Sequence, residues 1–234
     1  MSAVTAESPY TVPKRVYDAF WRDGYVIVPG LIDTALIPKL REDYNRAIAG
    51  DFGDLNFGNK SKKGEQVQKP VDPGAIPGWD THPYRVNGQA VCEQLIGHKL
   101  RFAYGQMIRK PPHYPAQVQW HQDGWYWQDD KGNQNVKKGC TCWVALSEAF
   151  PANGSVMYIP GSHKLGLLNH ADKADEFEFD NAREAEGFDR NKAIAVTMHP
   201  GDAVFHHALT LHASGGNDTD IPREGLTSHF FVAD

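Results

Sequence analysis

The sequence predicts a mainly β protein of the α+β type, a sandwich or barrel preceded by helices, and three observations carry that expectation. From Phe102 onward, short apolar runs of about five to eight residues alternate with Gly, Pro, Asn and Asp turns. Before Phe102 the apolar residues recur at helical spacing instead. No linker composition separates the two regions, so the 234 residues read as a single domain, with 1–101 mostly helical and 102–234 forming the β core.

Taken in order, Val16 and Phe20 share one helical face, Gly24 ends that helix, and Tyr25 to Val28 is a short strand closed by Pro29 and Gly30. Leu36, Leu40, Tyr44 and Ile48 recur every four residues up to Gly50, a helix with a glycine stop. Residues 51–88 have no period and many Gly, Pro and Lys, which predicts a long loop that orders around a ligand. Its Lys60, Lys62, Lys63 and Lys69 are either solvated or aimed at an acidic group on a substrate. Val91, Leu95 and Leu100 predict a further helix. The strands expected after it are 102–109, 116–121, 139–146, 155–159, 193–198, 202–207 and 225–232. Residues 170–190 are strongly acidic and without a turn motif, which predicts an exposed insertion with some helix.

Composition narrows the function. With 41% hydrophobic and 23% charged residues and a net charge of -5, the chain has no basic excess to favour nucleic acid. Cys92, Cys140 and Cys142 are too few for a disulfide framework, and a zinc site on the latter two lacks further thiols, so buried thiols in a reducing compartment are expected. No basic-then-apolar leader and no run of eighteen apolar residues is visible, which makes the cytoplasm the expected location and a membrane span unexpected. Nothing in the pattern chooses between a monomer and a homodimer.

The chemistry concentrates in QVQWHQDGWYW. Residues i and i+2 of a strand face one side about 6–7 Å apart, so His121 and Asp123 converge on one ion from a strand end. The pattern alone is weak, since about one His-x-Asp is expected by chance in such a chain, and His170-Ala171-Asp172 is a second copy. That copy lies in the acidic insertion, where two solvated side chains are expected. His121 and Asp123 instead sit before a tight turn at Gly124, amid Trp120, Trp125, Tyr126 and Trp127, an aromatic wall suited to a dry cavity or simply to core packing. His206, His207 and His212 all offer a third ligand, and Arg223 offers a planar fork for a carboxylate. Two His and one carboxylate on one face of an ion is the arrangement of non-haem Fe(II) oxygenases.

FWRDGYVIVPGLID, MIRKPP, WHQD, WVALSEAFPANGSVMYIPGSHKLG and PGDAVFHHALTLHASGGN, followed by Arg223, together resemble the phytanoyl-CoA dioxygenase family of Fe(II)/2-oxoglutarate oxygenases nearly end to end. In that family the distal histidine is followed by Ser two positions later, Asn five later and Arg eleven later; His212, Ser214, Asn217 and Arg223 fit each step. The resemblance thus implies Fe(II) held by His121, Asp123 and His212, with His163, His206 and His207 as wall or core residues. It implies 2-oxoglutarate on Arg223, Ser214 and Met107, and Gln106, Trp127 and Trp143 near substrate. It further implies a double-stranded β-helix, a cupin-like jelly roll with the N-terminal helices packed on one sheet. The expected reaction consumes O2 and 2-oxoglutarate, releases succinate and CO2 and hydroxylates a small-molecule metabolite, with ascorbate as a stimulant. In related halogenases a small residue replaces the carboxylate, so Asp123 argues for oxygenation.

Two other readings use the same residues. A cupin-like metal-dependent dioxygenase or isomerase would bind the metal but no keto acid, and would have no need of Arg223. A non-catalytic jelly-roll module would bind its ligand equally well without iron.

Overall fold

In a computed structural model the alternation after Phe102 becomes two facing antiparallel sheets, with helices against the outside of the larger one. The structure describes residues 10–53, 68–71, 76–127, 138–173, 176 and 182–232. The helices are α1 (Lys14–Asp23), α2 (Ile37–Ala49), α3 (Pro83–Ile96) and the single turn α4 (Asp123–Tyr126). The strands are β1 (Tyr25–Val28), β2 (Gln68–Val71), β3 (Leu100–Lys110), β4 (Val118–His121), β5 (Cys140–Ala145) and β6 (Val156–Tyr158), then β7 (His170–Asp172), β8 (Arg183–Ala185), β9 (Ile194–Ala195), β10 (Ala203–His207), β11 (His212–Ser214) and β12 (Arg223–Val232). The larger sheet runs β1-β10-β5-β12-β3-β2, the smaller β4-β11-β6-β9, and β7 pairs with β8 alone. This is the jelly roll the sequence predicts.

Strand alternation decides where the core sits. On the outer face of the larger sheet Met107, Cys142, Val144, Phe205 and Leu226 pack beneath Phe20, Leu40, Tyr44, Val91 and Leu95 of the three long helices. Each such side chain contributes about 1.5–3 kcal/mol on burial, so the helices dock as one layer. The inner face is apolar only at one end, where Trp143, Ala145 and Val204 meet Tyr158, Val196 and Met198. Along the rest of that face Gln106, Thr141, His206, Thr227 and His229 border a cavity. The molecule is thus stabilised mainly between helices and sheet, which leaves the space between the sheets to polar groups.

Local signals set the helix ends. Gly24 and Gly97 close α1 and α3 with φ of 83° and 76°, conformations that cost L-residues a Cβ clash. His82 opens α3, its Nδ1 accepting from Tyr84 N–H at 3.2 Å, and Pro83 takes the first turn, where a missing N–H costs nothing. Leu100, expected in that helix, begins β3 instead, because Gly97 breaks the period first.

Three expectations are corrected. The loop assigned to 51–88 contains β2 and the first turns of α3; Lys69 lies in β2, while Lys60, Lys62 and Lys63 lie outside the described residues. The acidic segment forms the strand pair β7 and β8 where described, not helix, with Asp172 and Arg183 ion-paired at 2.8 Å across it. His170 is buried rather than solvated: it stacks on Trp125, and its Nε2 accepts from Gln122 N–H at 3.2 Å. Strands of three residues are too short to display a period. The three thiols are free and buried in the helix-facing core, as expected, and burial pushes those of Cys92 and Cys142 up. Among the described residues no helix is long and apolar enough to cross a membrane.

Candidate active site

His121 ends β4 and His212 begins β11, and the register pairs the two directly, so their rings lie 4.1 Å apart between centroids. The chain then turns at Gln122 into α4, which brings the Asp123 carboxylate beneath both rings, Oδ1 3.6 Å from each Nε2. One donor atom from each of the three residues falls within 4.8 Å of the others. The turn is held by Gln122, whose side chain is buried away from the cavity: its amide donates to the carbonyls of Gly166 and Leu209 and its oxygen accepts from Leu168 N–H.

Hydrogen bonds behind these residues aim them. His121 Nδ1 meets Gln119 O at 2.8 Å and His212 Nδ1 meets Thr210 O at 2.9 Å. A carbonyl only accepts, so both Nδ1 atoms carry the proton and both Nε2 lone pairs face the centre, the tautomer a metal ligand requires. Burial, together with His121 and His206, pushes His212 well below the usual histidine value and keeps it neutral. Burial alone would raise the Asp123 carboxyl, but His212, His121, His206 and His229 hold it well below the usual carboxylate range. Its Oδ2 accepts from Thr141 Oγ1 at 2.5 Å and from His206 Nε2 at 2.9 Å, leaving Oδ1 for the centre. Two imidazole nitrogens and an ionised carboxylate are a donor set that fits a divalent transition metal.

The cavity beside this cluster, about 70 Å³, ends at Arg223. That guanidinium is 1% exposed; Nε and Nη2 donate to Gly154 O at 3.1 and 2.9 Å, while Nη1 has no partner. Burial lowers Arg223 to about 10, so it is charged at neutral pH. Trp143 Nε1 and Thr227 Oγ1, also lining the cavity, are equally buried and unpartnered. Lys110 is buried close by, and Glu224, next to Arg223 in the chain, pairs with Arg41 and Arg109 instead. Among the described residues neither Arg223 nor Lys110 pairs with a carboxylate; their contacts are to uncharged oxygens. Buried cations without a counter-charge are costly, so this end of the cavity suits an anion.

The structure therefore brings together His121, Asp123, His212, Ser214, Arg223, Gln106 and Trp143 around one cavity. Met107 is corrected: it is fully buried on the helix-facing side of β3, because alternation sends its neighbours Gln106 and Ile108 inward, and a slip of one residue reverses the face. Trp127 packs edge-on against His229, which lines the cavity, and donates to Tyr104 Oη at 3.0 Å, without itself lining the cavity. Trp143 lies at the Arg223 end, 5.4 Å from the guanidinium carbon. Residues 106, 108 and 110 of β3, and 223, 225, 227 and 229 of β12, share one face by simple alternation, so counting by twos from Arg223 finds Thr227 and His229. The same count from Trp143 reaches Thr141 and from Gln106 reaches Lys110, but no sequence signal marked Lys110 as buried.

A family model described as phytanoyl-CoA dioxygenase matches residues 20–225. The chain belongs to the phytanoyl-CoA dioxygenase family. A probable phytanoyl-CoA dioxygenase of Caenorhabditis elegans is 30% identical over 93% of this chain and 73% of its own length. A probable alpha-ketoglutarate-dependent hypophosphite dioxygenase of Stutzerimonas stutzeri is 25% identical over 90% of the chain and 76% of its own. Among solved structures, EvdO2 from Micromonospora carbonacea var. aurantiaca, crystallised with 2-oxoglutarate, superposes with a TM-score of 0.77 at 25% identity, covering 97% of this chain and 94% of its own. Phytanoyl-CoA dioxygenase family members are iron- and 2-oxoglutarate-dependent dioxygenases, and the chain is an enzyme of that class.

Proposed function

We propose that His121, Asp123 and His212 hold Fe(II), that Arg223, Ser214, Trp143 and Thr227 receive the distal carboxylate of 2-oxoglutarate, and that the enzyme hydroxylates a small-molecule metabolite. The observation that carries this reading is the polarity of the cavity, with three metal-type donors at one end and an uncompensated buried guanidinium at the other. Iron with 2-oxoglutarate and O2 supplies the oxidising chemistry, with succinate and CO2 as co-products. The chain's own residues position and shield. Arg223 is pre-oriented by Gly154 O, so one N–H group stays aimed at the cavity without reorganisation on binding. Thr141 and His206 hold the Asp123 carboxylate so that one oxygen faces the metal. Tyr126, edge-on to His121, accepts from Gln119 Nε2 and Arg183 N–H and so ties β8 against the site, which helps exclude water. Arg223 favours this reading over a metalloenzyme without a keto acid, and Asp123 favours it over halogenation. Purified protein given Fe(II), ascorbate and O2 is expected to convert 2-oxoglutarate to succinate slowly even without substrate, and Asp123→Ala to abolish it. Absence of succinate from wild-type protein across a metabolite panel would overturn the proposal.

A further inference from the structure

Lys110 ends β3 with 1% exposure, and its Nζ meets three oxygens: Ala116 O at 3.1 Å, Ser214 Oγ at 2.9 Å, and Gly215 O. An ammonium has three N–H donors and no acceptor, so these contacts use every donor and oblige the serine oxygen to accept. The one proton of Ser214 is left for a partner elsewhere, and Ser214 lines the same cavity into which Arg223 presents its unpartnered Nη1. Asn217 fixes this corner, its amide donating to the carbonyls of Lys110, Pro111 and Ile221.

We propose that Lys110 is a positioning residue for the co-substrate: by holding the Ser214 oxygen as an acceptor, it commits the serine proton to the distal carboxylate of 2-oxoglutarate. The proposal rests on the assignment of that carboxylate to Arg223 and Ser214 made above. Without the lysine the hydroxyl is free to rotate and donate to a nearby carbonyl, which would turn its lone pairs toward the carboxylate. A neutral lysine would have the same effect by taking the serine proton. Burial and the neighbouring Arg223 push Lys110 well below the usual lysine value; donation to the carbonyls of Ala116 and Gly215 and to Ser214 Oγ favours the charged form.

The test compares two five-carbon keto acids, 2-oxoglutarate and 2-oxopentanoate, which share the metal-binding head but differ in the distal carboxylate. Their affinities are measured by calorimetry on Zn(II)-loaded full-length protein, with wild type, Lys110→Met, Ser214→Ala and the double variant. Lys110→Met is expected to weaken 2-oxoglutarate about tenfold, ~1.4 kcal/mol, to leave 2-oxopentanoate unchanged, and to add little in the Ser214→Ala background. Equal weakening of both ligands, an unchanged Lys110→Met, or an equal effect with and without Ser214 would overturn it. Should Lys110→Met not fold, Ser214→Ala alone decides: it must lose about tenfold of the preference for 2-oxoglutarate over 2-oxopentanoate, and retention of that preference overturns the proposal. Wild-type protein with no preference between the acids would overturn the functional reading itself, an outcome distinct from a normal preference that Lys110→Met fails to change.

Discussion

Thr141→Val isolates what orients the metal-binding carboxylate. Valine matches threonine in shape, so the substitution removes the 2.5 Å hydrogen bond to Asp123 Oδ2 and the acceptor for His229 Nδ1 at 3.0 Å with little change in packing. A hydrogen bond to a buried charged group is worth about 1.5–3 kcal/mol. His206 still holds Oδ2 at 2.9 Å, so Asp123 is loosened rather than released. Groups that orient a metal ligand from behind typically change metal affinity by roughly 10- to 100-fold. Titration of metal-free protein with Fe(II) under argon is therefore expected to show the dissociation constant rising within that range, with Thr141→Ser, which keeps the hydroxyl, near wild type. At saturating iron the affinity for 2-oxoglutarate should not change, because Thr141 makes no contact with Arg223 or Ser214. A folded Thr141→Val protein that binds iron as wild type does would mean that Thr141 does not orient Asp123.

Three further outcomes follow from the same geometry. In Gly225→Ala the new Cβ would lie 2.2 Å from a ring carbon of Trp143, so the variant should lose about 1–3 kcal/mol by overpacking together with 2-oxoglutarate affinity; thermal unfolding and a binding titration check both. Glu224→Gln leaves Arg41 and Arg109 without the buried carboxylate that they meet at 2.7 and 2.5 Å, and should cost about 2 kcal/mol in urea unfolding, moderated because Arg41 is half exposed. Burial, with His163 and His206, lowers His207 to about 4. The unfolded chain takes up that proton near 6.5, so this histidine lowers stability as pH falls from about 6.5 toward 4, and the loss levels off below. In His207→Asn, unfolding at pH 7, 5.5 and 4.5 should show a shallower fall, and an unchanged slope would contradict the assignment.

The β core and the helical start were legible because their elements are long: α2 repeats its apolar residues every four positions, and β12 runs over ten residues. The β7 and β8 pair was not, since three residues cannot establish a period and its acidic side chains mask the buried His170 and Ala185. At the site, His121 and Asp123 were reachable because two residues apart at a strand end put both side chains on one side, whereas His212 was separated from His206 and His207 only by the spacing of the family it resembles. Met107 was misplaced because spacing across a variable loop is uncertain by one residue, and one residue in a strand is the difference between cavity and core. Thr141, His206 and Lys110 act through hydrogen bonds between distant segments. Such contacts leave no local pattern.

The most direct measurement is an anaerobic crystal structure of the protein with Fe(II) and 2-oxoglutarate, with iron located by its anomalous scattering. One iron peak is expected, bounded by His121 Nε2, Asp123 Oδ1 and His212 Nε2, with the keto acid on its open side and its far carboxylate on Arg223 Nη1 and Ser214 Oγ. Iron bound at other residues, or a keto acid whose carboxylate leaves Arg223 untouched, would contradict the assignment.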